Sequence, residues 1–270
     1  MIELFEQNLR QPKRHSSKGN QFKWENDGIW YKADYMGYEG LAEYLVSHLL
    51  EHSTLTREEY IIYDLTQIRY KHQTYRGAMS HNLLTEDWQI VTLERLFKQT
   101  CGESLYEKIW KLPSATERLT YLTETIEQIT GICDYGRYLA KLLTIDAFFL
   151  NEDRHLHNVA VLMNAREQYR LCPIFDNGAC LLSDTKGDYP LDVDPLQLMG
   201  EVHARTISRD FDEQLDAAEQ LYGDTIHFSF DGKCIDALLA EASIYPEAER
   251  DRVRTLLHQQ MHKYGYLFKE

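Results

Sequence analysis

The apolar and polar positions of this chain change rhythm once, close to residue 90. Before that point short runs alternate as strands do. FKWENDGIWYKAD (22–34) holds two aromatic-rich runs split by the turn-like Glu25-Asn26-Asp27-Gly28, which predicts a hairpin. EGLAEYLVSHLLEHS (39–53) interrupts with helical spacing at Leu41, Tyr44, Leu45, His48 and Leu49. YIIYDLTQI (60–68) and QTYRGAMSHNLL (73–84) predict further strands. After Trp88 helices take over. VTLERLFKQTCG (91–102) and ATERLTYLTETIEQITG (115–131) each run to a glycine, a usual helix stop. DYGRYLAKLLTIDAFFL (134–150) is apolar on nearly every side and predicts a buried helix. VAVLM (159–163) and YRLCPIF (169–175) predict a second hairpin, and the remainder from about residue 196 reads as helices. There is no internal repeat and no low-complexity tract.

This order predicts an α+β protein with a small β-rich N-lobe, residues 1–88, and a larger α-helical C-lobe, residues 89–270. Composition agrees with a folded protein: 43% hydrophobic and 27% charged residues over 270 positions. The 43 acids outnumber the 29 bases, for a net charge of −14, so a phosphate backbone is an unfavourable partner and nucleic acid is not expected to bind. Cys101, Cys133, Cys172, Cys180 and Cys234 are scattered without C-x-x-C spacing, which argues against a disulfide framework or zinc site. The first residues lack the apolar core of a signal peptide, and no run approaches the ~18 apolar residues of a membrane span. A cytoplasmic location without a membrane partner is expected, with secretion by a route lacking a cleaved signal left open.

NEDRHLHN (151–158) then needs explaining, because it sets a dense polar cluster at the end of the most apolar helix. Eighteen residues after Asn158 comes Asp176, in IFDNG, directly after the hairpin. The order is helix, D-x-x-x-x-N, hairpin, D-x-G. Phosphoryl transfer from ATP needs a carboxylate beside the attacking hydroxyl and hard oxygen ligands for Mg²⁺. Asp153 is the candidate base, Asn158 and Asp176 the candidate metal ligands, and Gly178 permits the turn that follows. The bland alternative is a polar loop that merely caps a buried helix. It explains Asp153 alone more easily than Asp153, Asn158 and Asp176 in register. His155 and His157 lack a third nearby nitrogen or sulfur ligand for zinc. His155 is expected to hold the loop in shape. Arg154 is expected to pair either with a buried acid or with a phosphate. Asp146, inside the apolar helix, is costly unless paired, and is placed to brace the loop.

N-x-D-R-H-x-x-N followed by D-N-G resembles the HipA family of bacterial serine/threonine kinases, and is most similar to its short, CtkA-like members. GIWYKAD and GYEGLAE upstream extend the resemblance over most of the chain. It departs from eukaryotic-type kinases, because Asn177 replaces the phenylalanine of the metal triplet and the histidine follows the aspartate. The resemblance implies a two-lobed protein-kinase-like fold, ATP and Mg²⁺ as cofactors, a protein substrate with a Ser/Thr acceptor, and an antitoxin or regulatory protein as a further partner.

The nucleotide-binding candidates follow the same logic. Lys32 is the basic residue of an aromatic strand whose alternation puts Trp30, Lys32 and Asp34 on one face. Eleven residues on, Glu43 is favoured by the resemblance as the partner that orients it, with Glu39 also available. SSKGNQ (16–21) is the candidate phosphate-covering loop, through Ser17, Lys18 and Gly19, or else an ordinary loop. Ser183 and Thr185, in the segment after Asp176, are candidate acceptors for self-phosphorylation. Two other functions remain open. One is a small-molecule kinase, although such loops usually begin H-G-D rather than NED. The other is a non-catalytic binding module with a kinase fold.

Overall fold

A computed structural model describes residues 1–10, 21–84 and 87–268. In chain order these form β1 (Ile2–Glu3), β2 (Lys23–Asn26), β3 (Ile29–Ala33), α1 (Glu39–Leu50), β4 (Asp64–Tyr70), β5 (Gln73–His81), β6 (Trp88–Thr92), α2 (Leu93–Cys101), α3 (Leu105–Ile109), α4 (Ala115–Thr130), α5 (Tyr135–Phe149), β7 (Ala160–Asn164), β8 (Tyr169–Leu171), α6 (Pro195–Leu198), α7 (Phe211–Tyr222), α8 (Gly232–Glu241) and α9 (Glu247–Lys263). The chain divides into two compact units. One comprises Met1–Leu83, Phe175–Val202 and Phe228–Glu270, and the other Leu84–Ile174 and His203–His227.

The first unit is built on a five-stranded sheet of order β1-β4-β5-β3-β2, in which β1 and β4 are parallel and the other pairs antiparallel. Asp27 and Gly28 join β2 to β3 with φ of 51° and 76°. Two successive positive φ values make the hairpin turn that an Asp-Gly pair favours. Trp24, Tyr31, Ala33, Ile68 and Tyr70 pack into an apolar cluster with Leu4. Strand alternation then turns Lys32, between Tyr31 and Ala33, to the opposite face, the face on which α1 lies.

Two glycines set how closely α1 approaches that face. A Cβ on Gly40 would lie 2.6 Å from the Gly77 carbonyl carbon, and one on Gly77 would lie 2.0 Å from the Lys32 carbonyl oxygen. Only glycine permits both contacts. Leu41, Leu45, Leu49 and Leu50 are fully buried on α1, which also packs on α8.

The second unit combines α4, α5 and α7, packed on one another, with a three-stranded antiparallel sheet of order β6-β7-β8. α5 buries all but two of its fifteen residues, as its apolar pattern predicts. One expectation needs correction. Residues 91–92 are not the start of a helix but the end of β6, which pairs with the later hairpin at Ile90↔Leu162 and Val91↔Val161. Thr92 both ends the strand and caps α2, its hydroxyl accepting from the Arg95 N–H. Strand passes into helix with no glycine or proline between them. Among the described residues no helix is long and apolar enough to cross a membrane.

Candidate active site

Within the first unit, Lys32 reaches from the middle of β3 to two carboxylates. Its Nζ lies 2.5 Å from Glu43 Oε1 and 2.6 Å from Asp176 Oδ1. Glu43 sits one turn into α1, and the glycine contact at Gly40 brings that turn down onto the sheet. Its second oxygen, Oε2, accepts the Asn177 N–H at 2.8 Å. One buried glutamate therefore holds both the lysine and the backbone next to Asp176. Glu39 does a different job: it accepts from the backbone N–H groups of Met36 and Gly37, at 2.6 and 3.0 Å, and so shapes the entry to the helix.

Burial disfavours the charged ammonium of Lys32, but the carboxylates of Asp176 and Glu43 outweigh it and hold its pKa well above the usual value. The ammonium also lies 4.9 Å from the centre of the Tyr63 ring. Tyr63 is fully buried there, which raises the pKa of its phenol. Its hydroxyl accepts from the Asp176 N–H at 3.4 Å.

The left-handed backbone that turns the chain here falls on Asp176 itself, with φ of 59°, and again on Leu181 and Leu182 at 57° and 56°. Gly178 is not where the turn requires glycine, and a Cβ added there would make only ordinary contacts. Aspartate tolerates this conformation better than most residues. The segment that follows is fastened down. Tyr38 donates its hydroxyl to the Leu181 carbonyl at 2.6 Å, and its N–H to the Ser183 carbonyl at 3.1 Å. Ser183 is buried, and its hydroxyl donates to the Gly178 carbonyl at 2.6 Å. Farther on, buried Arg252 donates to the carbonyls of Tyr189, Pro190 and Val193.

The second unit holds the other cluster. Leu150 ends α5 in a left-handed conformation, and NEDRHLHN folds back on the helix. Arg154 Nε donates to both oxygens of Asp146 at 3.1 Å, and Asn151 Nδ2 donates to Asp146 Oδ1 at 3.0 Å. Asp146 is the buried acid that the sequence allowed as a partner of Arg154. Burial pushes the Asp146 carboxyl up to about 6, against the lowering effect of Arg154. Asn151 Oδ1 in turn accepts the Asp153 N–H at 3.2 Å.

Asn158 Nδ2 donates to the Asp153 carbonyl at 2.8 Å and to its Oδ2 at 3.1 Å. The amide nitrogen is thus committed inside the loop, and Oδ1 is the end of Asn158 able to meet a cation. Asp153 Oδ1 faces His155 Nε2 at 3.7 Å and Arg205 Nη1 at 3.9 Å.

Lys32, Glu43 and Asp176 therefore meet in one unit, and Asp153 and Asn158 in the other. Ser17, Lys18 and Gly19 lie outside the described residues. Among the described residues no group of three or more His, Cys, Asp or Glu forms a metal cluster. Mg²⁺ keeps several waters and takes only one or two protein carboxylates, so the Asp176 carboxylate of the first unit is a donor of the type that suits that ion. Sequence reasoning missed Tyr63 and Arg205. Tyr63 stands in a strand-like run with nothing to mark it. Arg205 lies 52 residues from Asp153 in a stretch without a motif.

No protein-family model and no curated protein matches the chain. Among solved structures, it is similar to the Helicobacter pylori proinflammatory kinase CtkA, with a TM-score of 0.57 and 15% identity over 97% of this chain and 94% of that one. It also matches a Shewanella oneidensis MR-1 HipA, solved in a toxin–antitoxin complex with HipB and operator DNA. There the TM-score is 0.43 and the identity 13%, over 96% of this chain and 63% of that one. The α+β architecture expected from the order of elements is thus the observed one, and the chain has a CtkA-like kinase fold.

Proposed function

We propose that the protein is an ATP- and Mg²⁺-dependent kinase that phosphorylates serine or threonine of a protein. The observation that carries this reading is the ion cluster of Lys32, Glu43 and Asp176, which joins residues up to 144 positions apart at hydrogen-bonding distance. A fold does not require an ion cluster built on a buried glutamate, whose burial is a cost in stability. A nucleotide site needs it, because a cation must be held where phosphates arrive.

In this reading Lys32 meets the phosphates of ATP and Glu43 keeps it in place. Asp176 and the Oδ1 of Asn158 hold Mg²⁺, which when bound neutralises charge on the phosphates. Asp153 orients the acceptor hydroxyl and takes its proton. Ser17, Lys18 and Gly19 are proposed to cover the phosphates. A division near residue 88 into a nucleotide-binding part and a catalytic part belongs to the same reading. An antitoxin or regulatory partner rests on the motif resemblance alone. Ser183 is a poor candidate for self-phosphorylation in this conformation, since its hydroxyl is buried and committed to Gly178.

Intact-mass spectrometry after incubation with Mg-ATP, alongside measurement of ATP hydrolysis, tests the proposal. Phosphate added to the wild type and absent from Asp153→Ala is the expected result. No phosphate gain and no ATP hydrolysis would leave a kinase-fold binding module as the better reading.

A further inference from the structure

We infer that Arg205 is a further catalytic residue, one that supplies positive charge to the phosphoryl group while it is transferred. The inference rests on the kinase reading above and on geometry confined to the second unit.

Asp153 has two unlike oxygens. Oδ2 is engaged by Asn158 Nδ2 within the loop, and Oδ1 lies 3.7 Å from His155 Nε2 and 3.9 Å from Arg205 Nη1. In this inference the acceptor hydroxyl approaches Oδ1. Reacting atoms in such a step stand ~3–3.5 Å apart, so the phosphorus lies just beyond the hydroxyl. A guanidinium 3.9 Å from Oδ1 is within reach of that phosphoryl group's oxygens.

The support beneath Arg205 is built. Ala204, Thr206, Ile207 and Ser208 are buried, while Arg205 keeps 46% of its side-chain surface exposed. Gln214 Oε1, itself buried, accepts the backbone N–H groups of Thr206, Ile207 and Ser208 at 3.2, 2.9 and 3.2 Å. Thr206 Oγ1 donates to the Arg154 carbonyl at 2.5 Å, which ties this loop to the residue next to Asp153. Arg118 Nη1 donates to the Ile207 carbonyl at 3.0 Å. An exposed arginine on a backbone fixed at four points is unlike an ordinary solvated surface charge. Its planar fork can span two phosphoryl oxygens as lysine cannot.

In the step itself, a lone pair of the acceptor oxygen forms the new P–O bond. The bond from the γ-phosphorus to the bridging oxygen breaks, and its electron pair leaves with ADP. The hydroxyl proton passes to Asp153 Oδ1. Charge spreads over the three equatorial oxygens during transfer, and Arg205 acts on that charge.

The test compares Arg205→Ala, Arg205→Lys and Arg209→Ala, an exposed arginine of the same loop, in steady-state Mg-ATP turnover with water or the chain itself as acceptor. Arg205→Ala is expected to lower kcat by roughly 10- to 100-fold, with KM for ATP changed by less than about threefold. Lysine should recover part of the loss, Arg209→Ala should match the wild type, and melting temperatures should stay together. Unchanged kcat in Arg205→Ala, or a loss shared equally by Arg209→Ala, would overturn the inference and leave the kinase reading standing. A wild type without ATP turnover would remove both.

Discussion

Lys32 and Asp176 are 144 residues apart in the chain, yet their Nζ and Oδ1 atoms stand 2.6 Å apart, with Glu43 completing the pairing at 2.5 Å. Groups this close, with Glu43 buried and Lys32 and Asp176 partly buried, are coupled. Lys32→Met would leave Glu43 buried without its cation, a change of the kind that costs ~3–5 kcal/mol. Glu43→Gln should cost less, because Asp176 still faces the lysine. The double variant should then be less damaged than the sum of the two, with a coupling above ~1 kcal/mol in a double-mutant cycle read by urea unfolding. Additivity within error would mean that the three groups do not act as a unit.

Catalysis should rank these residues differently from stability. Asp176→Asn is expected to abolish Mg²⁺-dependent turnover, whereas Glu43→Gln lowers it while leaving it measurable. A proposed ligand of the ion acts on the transition state directly, whereas Glu43 acts by positioning Lys32 and the backbone beside Asp176. Turnover titrated with Mg²⁺ distinguishes them, since Asp176→Asn should also shift the Mg²⁺ dependence. Equal losses with unshifted Mg²⁺ dependence would count against this division.

The glycine pair beneath α1 gives a test that touches no charged group. Gly77→Ala would force a Cβ to within 2.0 Å of the Lys32 carbonyl oxygen, and the strand or the helix must move. Overpacking of this kind costs ~1–3 kcal/mol. Displacement of β3 should also disturb the Lys32–Glu43 contact, so turnover should fall together with the melting temperature. Gly178→Ala, whose Cβ would meet only ordinary contacts, should leave the melting temperature nearly unchanged.

What could be read from the sequence was local or motif-bound. The Asp27-Gly28 turn, the all-round apolar α5 and the helical period of α1 each carry their signal within a few neighbours. NEDRHLHN and IFDNG could be singled out because each sets polar residues at the spacing of a known motif. The β6 strand could not, since its partner lies about seventy residues on and nothing punctuates its passage into α2. Lys32 could be placed by strand alternation, but only the resemblance favours Glu43 over Glu39, and the Lys32–Glu43 contact, with Gly40 against Gly77, shows why it is the nearer carboxylate. The left-handed turn at Asp176 was misassigned to Gly178, because glycine is the default bearer of positive φ and aspartate a less common one. Arg205 and the backbone that Gln214 holds lie in a loop with no periodicity, where only tertiary contact brings them to notice.

Gln214 offers a stability test of that loop. Gln214→Leu keeps the volume but leaves three buried N–H donors without their acceptor, which is expected to cost roughly 2–5 kcal/mol. Gln214→Glu retains an oxygen acceptor and should recover most of the loss. Denaturant midpoints for the pair decide it. If leucine and glutamate were equally destabilising, side-chain volume or charge rather than the three accepted hydrogen bonds would be the cause.

The last prediction concerns pH and the foot of α1. Asp34 is buried beside Glu39, with Arg76, Tyr245 and Glu249 around it, and its Oδ1 accepts the Gly40 N–H at 2.7 Å. Burial, reinforced by the Glu39 charge, raises its carboxyl from 3.8 to about 7, against the opposing effects of Gly40, Tyr245 and Arg76. The unfolded chain releases this proton near pH 4 and the folded chain holds it to about 7, so folding takes up a proton between these values. The stability this provides is complete below about pH 4 and is lost progressively as pH rises to about 7, beyond which the contribution is flat. A shift of this size corresponds to a few kcal/mol, at ~1.4 kcal/mol per unit. Asp34→Asn cannot titrate and can still accept from Gly40. Relative to the wild type, it should therefore gain stability steadily from pH 5 to pH 7 and keep a constant advantage above. Urea unfolding of both proteins across that range measures the difference and cancels the other carboxylates common to the two. A difference that stayed flat with pH would mean that Asp34 is ionised throughout, held by Arg76 despite its burial.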